Sequence, residues 1–327
     1  MRIFVTGGTG TIGANFMRTA LAHGHQVLNY DILTPAASLG SAWDLNELGH
    51  YHLVLGDVAD FGDLKAEITN FAPDAVVHLA ALHRADAPNQ TPGQTPVDLF
   101  NTNILGTFNV LEILRRYQGE RPNAPQIPVI IPANTLHNAA TFMQATQAAS
   151  DMIAQSWQGA MMQHVTRLVM APLYGADVPS PVARMIDWAL RGNPIPITQA
   201  GGATTPWLFV DDLSDILLTL CQAPVAEHLA VAAGNEMIHP MQLARGICRG
   251  VAYVSGADPQ ELANLIIPNT DRPHGGDKPP QTPTATHIGL TPMRDGLLHC
   301  IRWHMRQFNR QHHMAPEPAT TSNGVAA

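Results

Sequence analysis

The strongest constraint on this chain is a glycine-rich turn set between a strand and a helix. Gly7-Gly8-Thr9-Gly10-Thr11-Ile12-Gly13 follows the apolar run Arg2–Thr6 and leads into a helical stretch, Ala14–His23, that closes at Gly24. Glycines at 7, 10 and 13 permit a tight turn, close backbone approach to a diphosphate, and close packing of helix on strand. The helix start then offers unpaired N–H groups and the positive end of its dipole to the phosphates. Thr9, Thr11 and Ile12 complete the expected loop. Asp31 follows a second strand, Val27–Tyr30, eighteen residues past Gly13. A carboxylate there can accept both ribose hydroxyls and repels a 2′-phosphate, which favours NAD over NADP. Asp57 follows a third strand, Leu53–Leu55. It is read either as a turn residue or, with Val58, as a contact to the adenine edge.

Ala75–Leu79 and Val129–Ile131 supply a fourth and a fifth strand. These short runs are continuously apolar rather than alternating, the pattern of strands covered on both faces. Alternation of strand and helix at this spacing predicts a doubly wound parallel α/β (Rossmann) sheet. From about Thr166 the texture changes: prolines stand at 172, 179, 181, 194, 196 and 206, and helices such as Pro181–Arg191 and Asp211–Cys221 are separated by loops. The expectation is a dinucleotide-binding domain over 1–165 and a smaller α/β substrate lobe over 166–313, interleaved with the last strands of the first. The Pro/Ala/Thr/Ser-rich segment 314–327 is expected to be a disordered tail.

Composition excludes several partners. The chain of 327 residues has a net charge of −8, with lysine only at 65 and 278, so neither nucleic acid nor an anionic membrane is expected. No apolar run reaches the ~18 residues of a membrane span, and the start, MRIFVTGG, does not read as a secretory leader. Three well-separated cysteines (221, 248, 300) without a CxxC pair suggest buried, reduced thiols in a cytoplasmic protein.

Further segments carry a resemblance: Gly56-Asp57, His78-Leu79-Ala80-Ala81, Asn103-Ile104-Leu105-Gly106-Thr107 at a helix start, Leu173-Tyr174-Gly175, Phe209-Val210-Asp211-Asp212-Leu213, Asp271-Arg272-Pro273-His274, Ile288-Gly289-Leu290-Thr291-Pro292 and Trp303. In this order, over residues 1 to about 310, they resemble the extended short-chain dehydrogenase/reductase family, specifically its nucleotide-sugar epimerases and 4,6-dehydratases. The resemblance implies cofactor contacts at Leu79, Ala80, Ala81, Asn103 and Gln147, and a diphosphate contact at Arg272. It also implies a homodimer through the helices 104–117 and 142–157; packing of both on the sheet is the alternative.

That family works with a Tyr, a Lys four residues later, and a Ser/Thr after strand five. The Lys lowers the Tyr pKa, and the phenolate moves the proton that accompanies the hydride. Alignment on Gln147-Ala148-Ala149-Ser150-Asp151 puts Met143 at the Tyr and Gln147 at the Lys, and no Tyr-x-x-x-Lys occurs in the chain. The strand-five motif falls on Pro132-Ala133-Asn134-Thr135-Leu136-His137-Asn138, without the usual hydroxyl and carboxylates. The Arg expected before Phe209 is Thr205.

Position at strand ends then nominates other groups. His83 and His137 are candidate proton carriers, since imidazole titrates near neutrality, and Thr135 is a candidate hydrogen-bond donor to a substrate oxygen. Arg84, Asn134, Met143, Arg167 and Arg272 are candidate substrate contacts, the arginines for an anionic group. His78 is read as structural, and no metal site is expected. Two functions stay open: NAD-dependent epimerisation or dehydration of a nucleotide sugar or related phosphorylated sugar through transient oxidation, and a catalytically silent NAD(H)-binding relative acting as sensor or partner subunit.

Overall fold

The computed structural model describes residues 1–33, 45, 49–82, 95–133, 141–160, 164–198, 204–223, 229–269 and 289–313. In chain order it contains β1 (Arg2–Thr6), α1 (Thr11–Ala22), β2 (Gln26–Asp31), β3 (Tyr51–Leu55), α2 (Phe61–Phe71), β4 (Ala75–His78) and α3 (Pro96–Leu99). A π turn (Phe100–Leu105) leads to α4 (Gly106–Gly119), β5 (Val129–Pro132), α5 (Phe142–Ala160), β6 (Val165–Met170), β7 (Leu173–Tyr174), α6 (Pro181–Leu190), β8 (Ile195–Thr198) and β9 (Leu208–Phe209). The chain continues with α7 (Val210–Gln222), β10 (Leu229–Ala232), α8 (Pro240–Ser255), α9 (Pro259–Ala263), β11 (Ile266–Asn269) and α10 (Met293–His313).

Contacts divide the chain into two compact units: Met1–Leu173 with Thr205–Met237 and Asp277–Thr291, and Tyr174–Thr204 with Ile238–Gly276 and Pro292–Ala327. The division does not fall at residue 165. β6 and β10 extend the same sheet as β5, so their segments stay with the first unit.

In the first unit, the described residues form one seven-stranded sheet in the order β10-β6-β5-β4-β1-β2-β3, parallel throughout. Its central strands β1, β4 and β5 are apolar through their middles, with Thr6 and His78 the polar residues at the carboxyl ends of β1 and β4, because both faces are covered. Ile3, Val5, Ala75, Val77 and Ile130 join one core with Phe16, Met17 and Ala20 of α1 and Leu213, Ile216 and Leu217 of α7. Their neighbours Phe4, Val76, Val129 and Ile131 join another with Leu64 and Ile68 of α2, Val110, Leu111 and Leu114 of α4, and Ala154 of α5. The period of two that sends successive side chains to opposite faces thus produces two cores from one apolar string. Edge strand β3 departs from this, leaving Leu53 and Leu55 exposed.

Some boundaries differ from the sequence expectation. The fourth strand ends at His78 rather than Leu79, and the fifth runs on through Pro132. Helix α1 starts at Thr11, three residues before Ala14, because Gly10 is its extended N-cap (φ −70°, ψ 168°). Asn103 lies inside the π turn rather than opening a helix, since α3 starts the helical run at Pro96 behind a Thr95–Asp98 capping box.

The second unit contains a parallel pair, β8 with β11, and the helices α6, α8, α9 and α10. Ser180 caps α6 through the Ala183 amide, with Pro181 at its first position. All three cysteines are buried and none forms a disulfide, and burial pushes the Cys221 thiol up to about 12. Among the described residues no helix is long and apolar enough to cross a membrane. The tail 314–327 lies outside the described residues.

Asp60 caps α2 by accepting the Gly62 and Asp63 amides at 3.0 Å. Asp60→Ala is expected to cost about 1 kcal/mol, read as a lower urea midpoint at unchanged slope.

Candidate functional site

The carboxyl ends of β1, β2 and β4 meet around the glycine turn. Gly7 has φ +69°, and a Cβ there would lie 2.6 Å from the Ala80 nitrogen, so this backbone touches the segment leaving β4. At Gly13 a Cβ would lie 2.5 Å from the Cα of Gly8, so the first turn of α1 sits directly on the loop. At Gly10 the nearest atom to such a Cβ is the Gly7 oxygen, at 3.3 Å, with open space otherwise. Gly10 provides no side-chain cap to α1, so the first-turn amides lack intrahelical partners. An open cradle above uncapped amides fits a diphosphate.

Two side chains of β2 hold the turn. Asn29 accepts the Gly8 amide (2.9 Å) and donates to the Tyr51 hydroxyl (3.2 Å). Asp31 Oδ2 accepts both the Thr9 amide (2.9 Å) and the Thr9 hydroxyl (2.7 Å), while Oδ1 accepts the Leu33 amide (2.8 Å). A carboxylate oxygen has about two acceptor directions. Among the described residues Oδ2 is therefore filled and Oδ1 keeps one direction, so the expected grip on two ribose hydroxyls reduces to one further acceptor position. Thr9 is buried, with Thr11 and Ile12 partly exposed.

Asp57 is exposed and its Oδ1 accepts the Ala59 amide at 2.9 Å, a turn role. Val58 is buried, and its carbonyl accepts from Asn109 Nδ2 at 3.0 Å. Gly56 admits the ring of Tyr30, on which a Cβ would fall; the Tyr30 hydroxyl donates to Asp63 at 2.7 Å.

Beyond β4, the Leu79 amide donates to the Thr6 carbonyl and the Ala80 amide to the Thr6 hydroxyl. Ala81 is partly exposed. Asn103 clamps Leu82 through both its amide (2.8 Å) and its carbonyl (3.2 Å), and also donates to Thr146 of α5 at 2.9 Å. His78 lies between Thr6 (Nδ1, 2.7 Å) and Thr107 (Nε2, 3.1 Å). The Thr107 hydroxyl donates to the Asn103 carbonyl and also meets Ser150 of α5 at 2.8 Å. Since the Thr107 proton is committed, Nε2 donates and Nδ1 accepts from Thr6: a neutral imidazole. Burial lowers its pKa to about 4.

Met143 and Gln147 stand one helical turn apart on α5, both partly buried, beside the turn that Thr146 and Ser150 join to the π turn. Arg167 was expected at an anionic substrate group. Its Nε and Nη2 instead make a bidentate pair with Asp151 of α5, 2.7 Å on each arm and nearly shielded from solvent. The candidates His83, Arg84, Asn134, Thr135, His137 and Arg272 lie outside the described residues. Among the described residues no cluster of three or more His, Cys, Asp or Glu could hold a metal ion. Sequence reading gave no role to Thr6, Asn29, Thr107, Thr146 and Ser150, although Thr107 and Ser150 stand inside quoted segments and Thr146 and Ser150 share a helix face at a spacing of four.

Two outcomes are expected. His78 is neutral down to about pH 4 when folded, and titrates near 6.5 when unfolded. Its contribution is therefore full above pH 6.5 and declines as the pH falls from 6.5 toward 4, by about 2 kcal/mol between pH 7 and 5. Urea unfolding at the two pH values, compared with His78→Gln, isolates that slope; the variant should show less. Arg167→Ala strands a buried carboxylate and is expected to cost about 3–5 kcal/mol, whereas Asp151→Asn/Arg167→Met should recover part of it.

Comparison with known proteins places these features in context. The model of the NAD dependent epimerase/dehydratase family matches residues 3–127 and 129–232. The chain is 26% identical to a dTDP-glucose 4,6-dehydratase of Neisseria gonorrhoeae, covering 94% of this chain and 97% of that protein. It is 25% identical to the dTDP-glucose 4,6-dehydratase of Haemophilus influenzae, covering 93% and 98%. Among solved structures it resembles the dTDP-glucose 4,6-dehydratase DesIV of Streptomyces venezuelae with NAD and TYD bound, at TM-score 0.71 and 21% identity, covering 95% and 98%. The UDP-glucose 4-epimerase of Thermotoga maritima with UDP-glucose gives TM-score 0.69 at 19% identity, covering 94% and 100%.

Proposed function

The chain belongs to the NAD-dependent epimerase/dehydratase family, and on that premise we propose that it epimerises or dehydrates a nucleotide sugar, or a related phosphorylated sugar, at an atypical active site. Relatives named dTDP-glucose 4,6-dehydratase, matched over nearly their full length, support the substrate class. What supports the atypical part is the alignment on Gln147-Ala148-Ala149-Ser150-Asp151, which puts Met143 and Gln147 at the positions of the family's Tyr and Lys. A thioether has no proton to transfer, and a carboxamide carries no charge.

The described residues fit NAD: uncapped amides at the start of α1, the open side of Gly10, and a remaining acceptor position on Asp31. Bound NAD supplies a reversible hydride acceptor at a sugar carbinol, whose oxidation acidifies the neighbouring C–H. Gly7, Gly10 and Gly13 hold the diphosphate close to backbone N–H groups. Asp31 orients the ribose and opposes a 2′-phosphate. Leu79, Ala80 and Ala81 line the path from β4, Val58 and Asp57 lie toward the base, and Asn103 fixes Leu82 against α5 so that Gln147 faces the cofactor with a hydrogen-bonding amide. Proton transfer falls to the imidazole of His83 or His137, with Thr135 donating to the substrate oxygen. Arg84 and Arg272 hold the anionic group, and Asn134 and Met143 shape the sugar pocket. Arg167, spent on Asp151, is left out of this set. The protein acts in the cytoplasm as a homodimer through the helices 104–117 and 142–157.

The test is turnover. The purified chain with NAD, given a panel of UDP- and dTDP-sugars, should convert at least one, followed by NMR of the product and by transient nicotinamide absorbance. His83→Ala or His137→Ala should then lower kcat by about a hundredfold or more. If neither does, both proton carriers are misassigned. Tight NAD binding without turnover of any sugar nucleotide, together with stable association with another protein, would instead establish the second reading, a silent NAD(H)-binding relative. That alternative is favoured by the same Met143/Gln147 substitution.

A further inference from the structure

The charges of this chain are unevenly shared. By sequence, the segments of the first unit carry nine basic and nineteen acidic side chains, and those of the second nine basic and seven acidic. Within the acidic chain, the second unit is thus net positive, and most of its arginines lie on two helices. α8 has Arg245 and Arg249 and no acidic residue; α10 has Arg294, Arg302, Arg306 and Arg310 against Asp295 alone, in its first turn.

The packing of these helices decides where the charges point. A Cβ on Gly246 would lie 3.6 Å from Leu297, and one on Gly250 would lie 2.5 Å from Ile301. Contact positions rise together along both helices, so α8 and α10 run parallel, and Gly250 lets the backbone of α8 approach Ile301 closely. In right-handed helices laid parallel, the residue before each contact on α8 and the residue after each contact on α10 turn to the same side. That side carries Arg245, Arg249 and Tyr253 from α8, and Arg302 and Arg306 from α10, all exposed. The opposite side carries Ile247, Val251 and Cys300, all buried. Among the described residues, none of these four arginines has a carboxylate partner within ion-pair distance.

A concavity of about 310 Å³ opens along this seam, lined by Val254, Arg302, Met305, Arg306 and Asn309. Val254 and Met305 give it an apolar floor, and Arg302 and Arg306 of α10 give it a cationic side. Residues four apart on a helix rise about 6 Å, close to the ~6.7 Å between alternate side chains of an extended peptide. We propose that this groove is a docking site for a short acidic peptide segment of a partner protein, carboxylates on the arginine ridges and an apolar side chain over Val254 and Met305. Charge complementarity favours this occupant. The chain's net charge of −8 disfavours a long polyanion or a flat anionic surface, whereas a short segment lies within roughly one Debye length (~8 Å) of the arginines. The chain's own residues 314–327 contain one acidic side chain, Glu317, and match the groove poorly.

The probe is a fluorescein-labelled peptide of alternating glutamate and leucine, titrated by anisotropy against the full chain. Saturable binding is expected, weakening as salt rises and falling about tenfold or more in Arg302→Glu/Arg306→Glu. The exposed Arg302→Gln/Arg306→Gln pair, checked by circular dichroism, should fall between. Arg18→Glu/Arg121→Glu, the same charge change in the first unit, should bind nearly as wild type. The proposal is overturned by absence of saturable binding, or by equal losses in the two charge-reversal variants. It is equally overturned if inorganic tripolyphosphate, a single-stranded oligonucleotide or phosphatidylserine vesicles compete more strongly than the unlabelled peptide. Binding that requires removal of residues 314–327 would make the tail the occupant and overturn it too.

Discussion

The architecture of the site depends on one close approach, Gly7 against the peptide at Ala80. No side chain fits between them, so the ends of β1 and β4 lock together at the mouth of the sheet. Thr6 completes the lock with its carbonyl on the Leu79 amide and its hydroxyl shared by the Ala80 amide and His78. From His78 the chain of polar contacts runs through Thr107 and Asn103 to Ser150 and Thr146 of α5. The dinucleotide turn and the helix carrying Met143 and Gln147 are therefore held in one hydrogen-bonded frame. Such a buried network is stable only when each member is satisfied, and a neutral His78 with one donor and one acceptor nitrogen meets that condition.

Much of the fold was legible because its signals are local. A glycine turn after a five-residue apolar strand has few other uses, and uninterrupted apolar runs imply a sheet covered on both faces. Both follow from short-range sterics and the period of two. The π turn was not legible: Phe100–Leu105 carries weak helix formers but nothing that marks an extra residue, and the turn accompanies the reach of Asn103 to Leu82 and Thr146. Nor was the fate of Arg167, whose Asp151 partner lies sixteen residues away on another element. Charge at a strand end suggests a ligand, but sequence alone does not reveal a carboxylate on the helix above it. Asp31 falls between these cases. Its position was evident from spacing, while its engagement with Thr9 depends on how tightly the turn folds back on β2.

The frame around α5 is formed by hydrogen bonds from the π turn and α4. Asn103, Thr107, Thr146 and Ser150 tie the helix to the turn, and the Thr146 hydroxyl also donates to the Met143 carbonyl at 2.8 Å. In the proposed reading, the side chains at 143 and 147 change the available chemistry while this clamp, made by other side chains, stays in place. This separation of support from reactivity lets a binding fold take up another proton carrier, or none.

The widened turn at Phe100–Leu105 has a consequence for how this chain tolerates length changes. Helical segments on either side of it, α3 and α4, are offset by one residue from an uninterrupted spiral. Loss of a single residue inside it would restore a regular helix and leave α4 nearly in phase, because five residues at about 100° each turn roughly as far as six at the wider pitch. Loss of one residue within α4, between Thr107 and Asn109, has no such slack and would turn Asn109 by about a hundred degrees away from the carbonyls beyond β3. The irregularity thus works as slack in length, and a one-residue deletion is better borne at this spot than farther along the same helix.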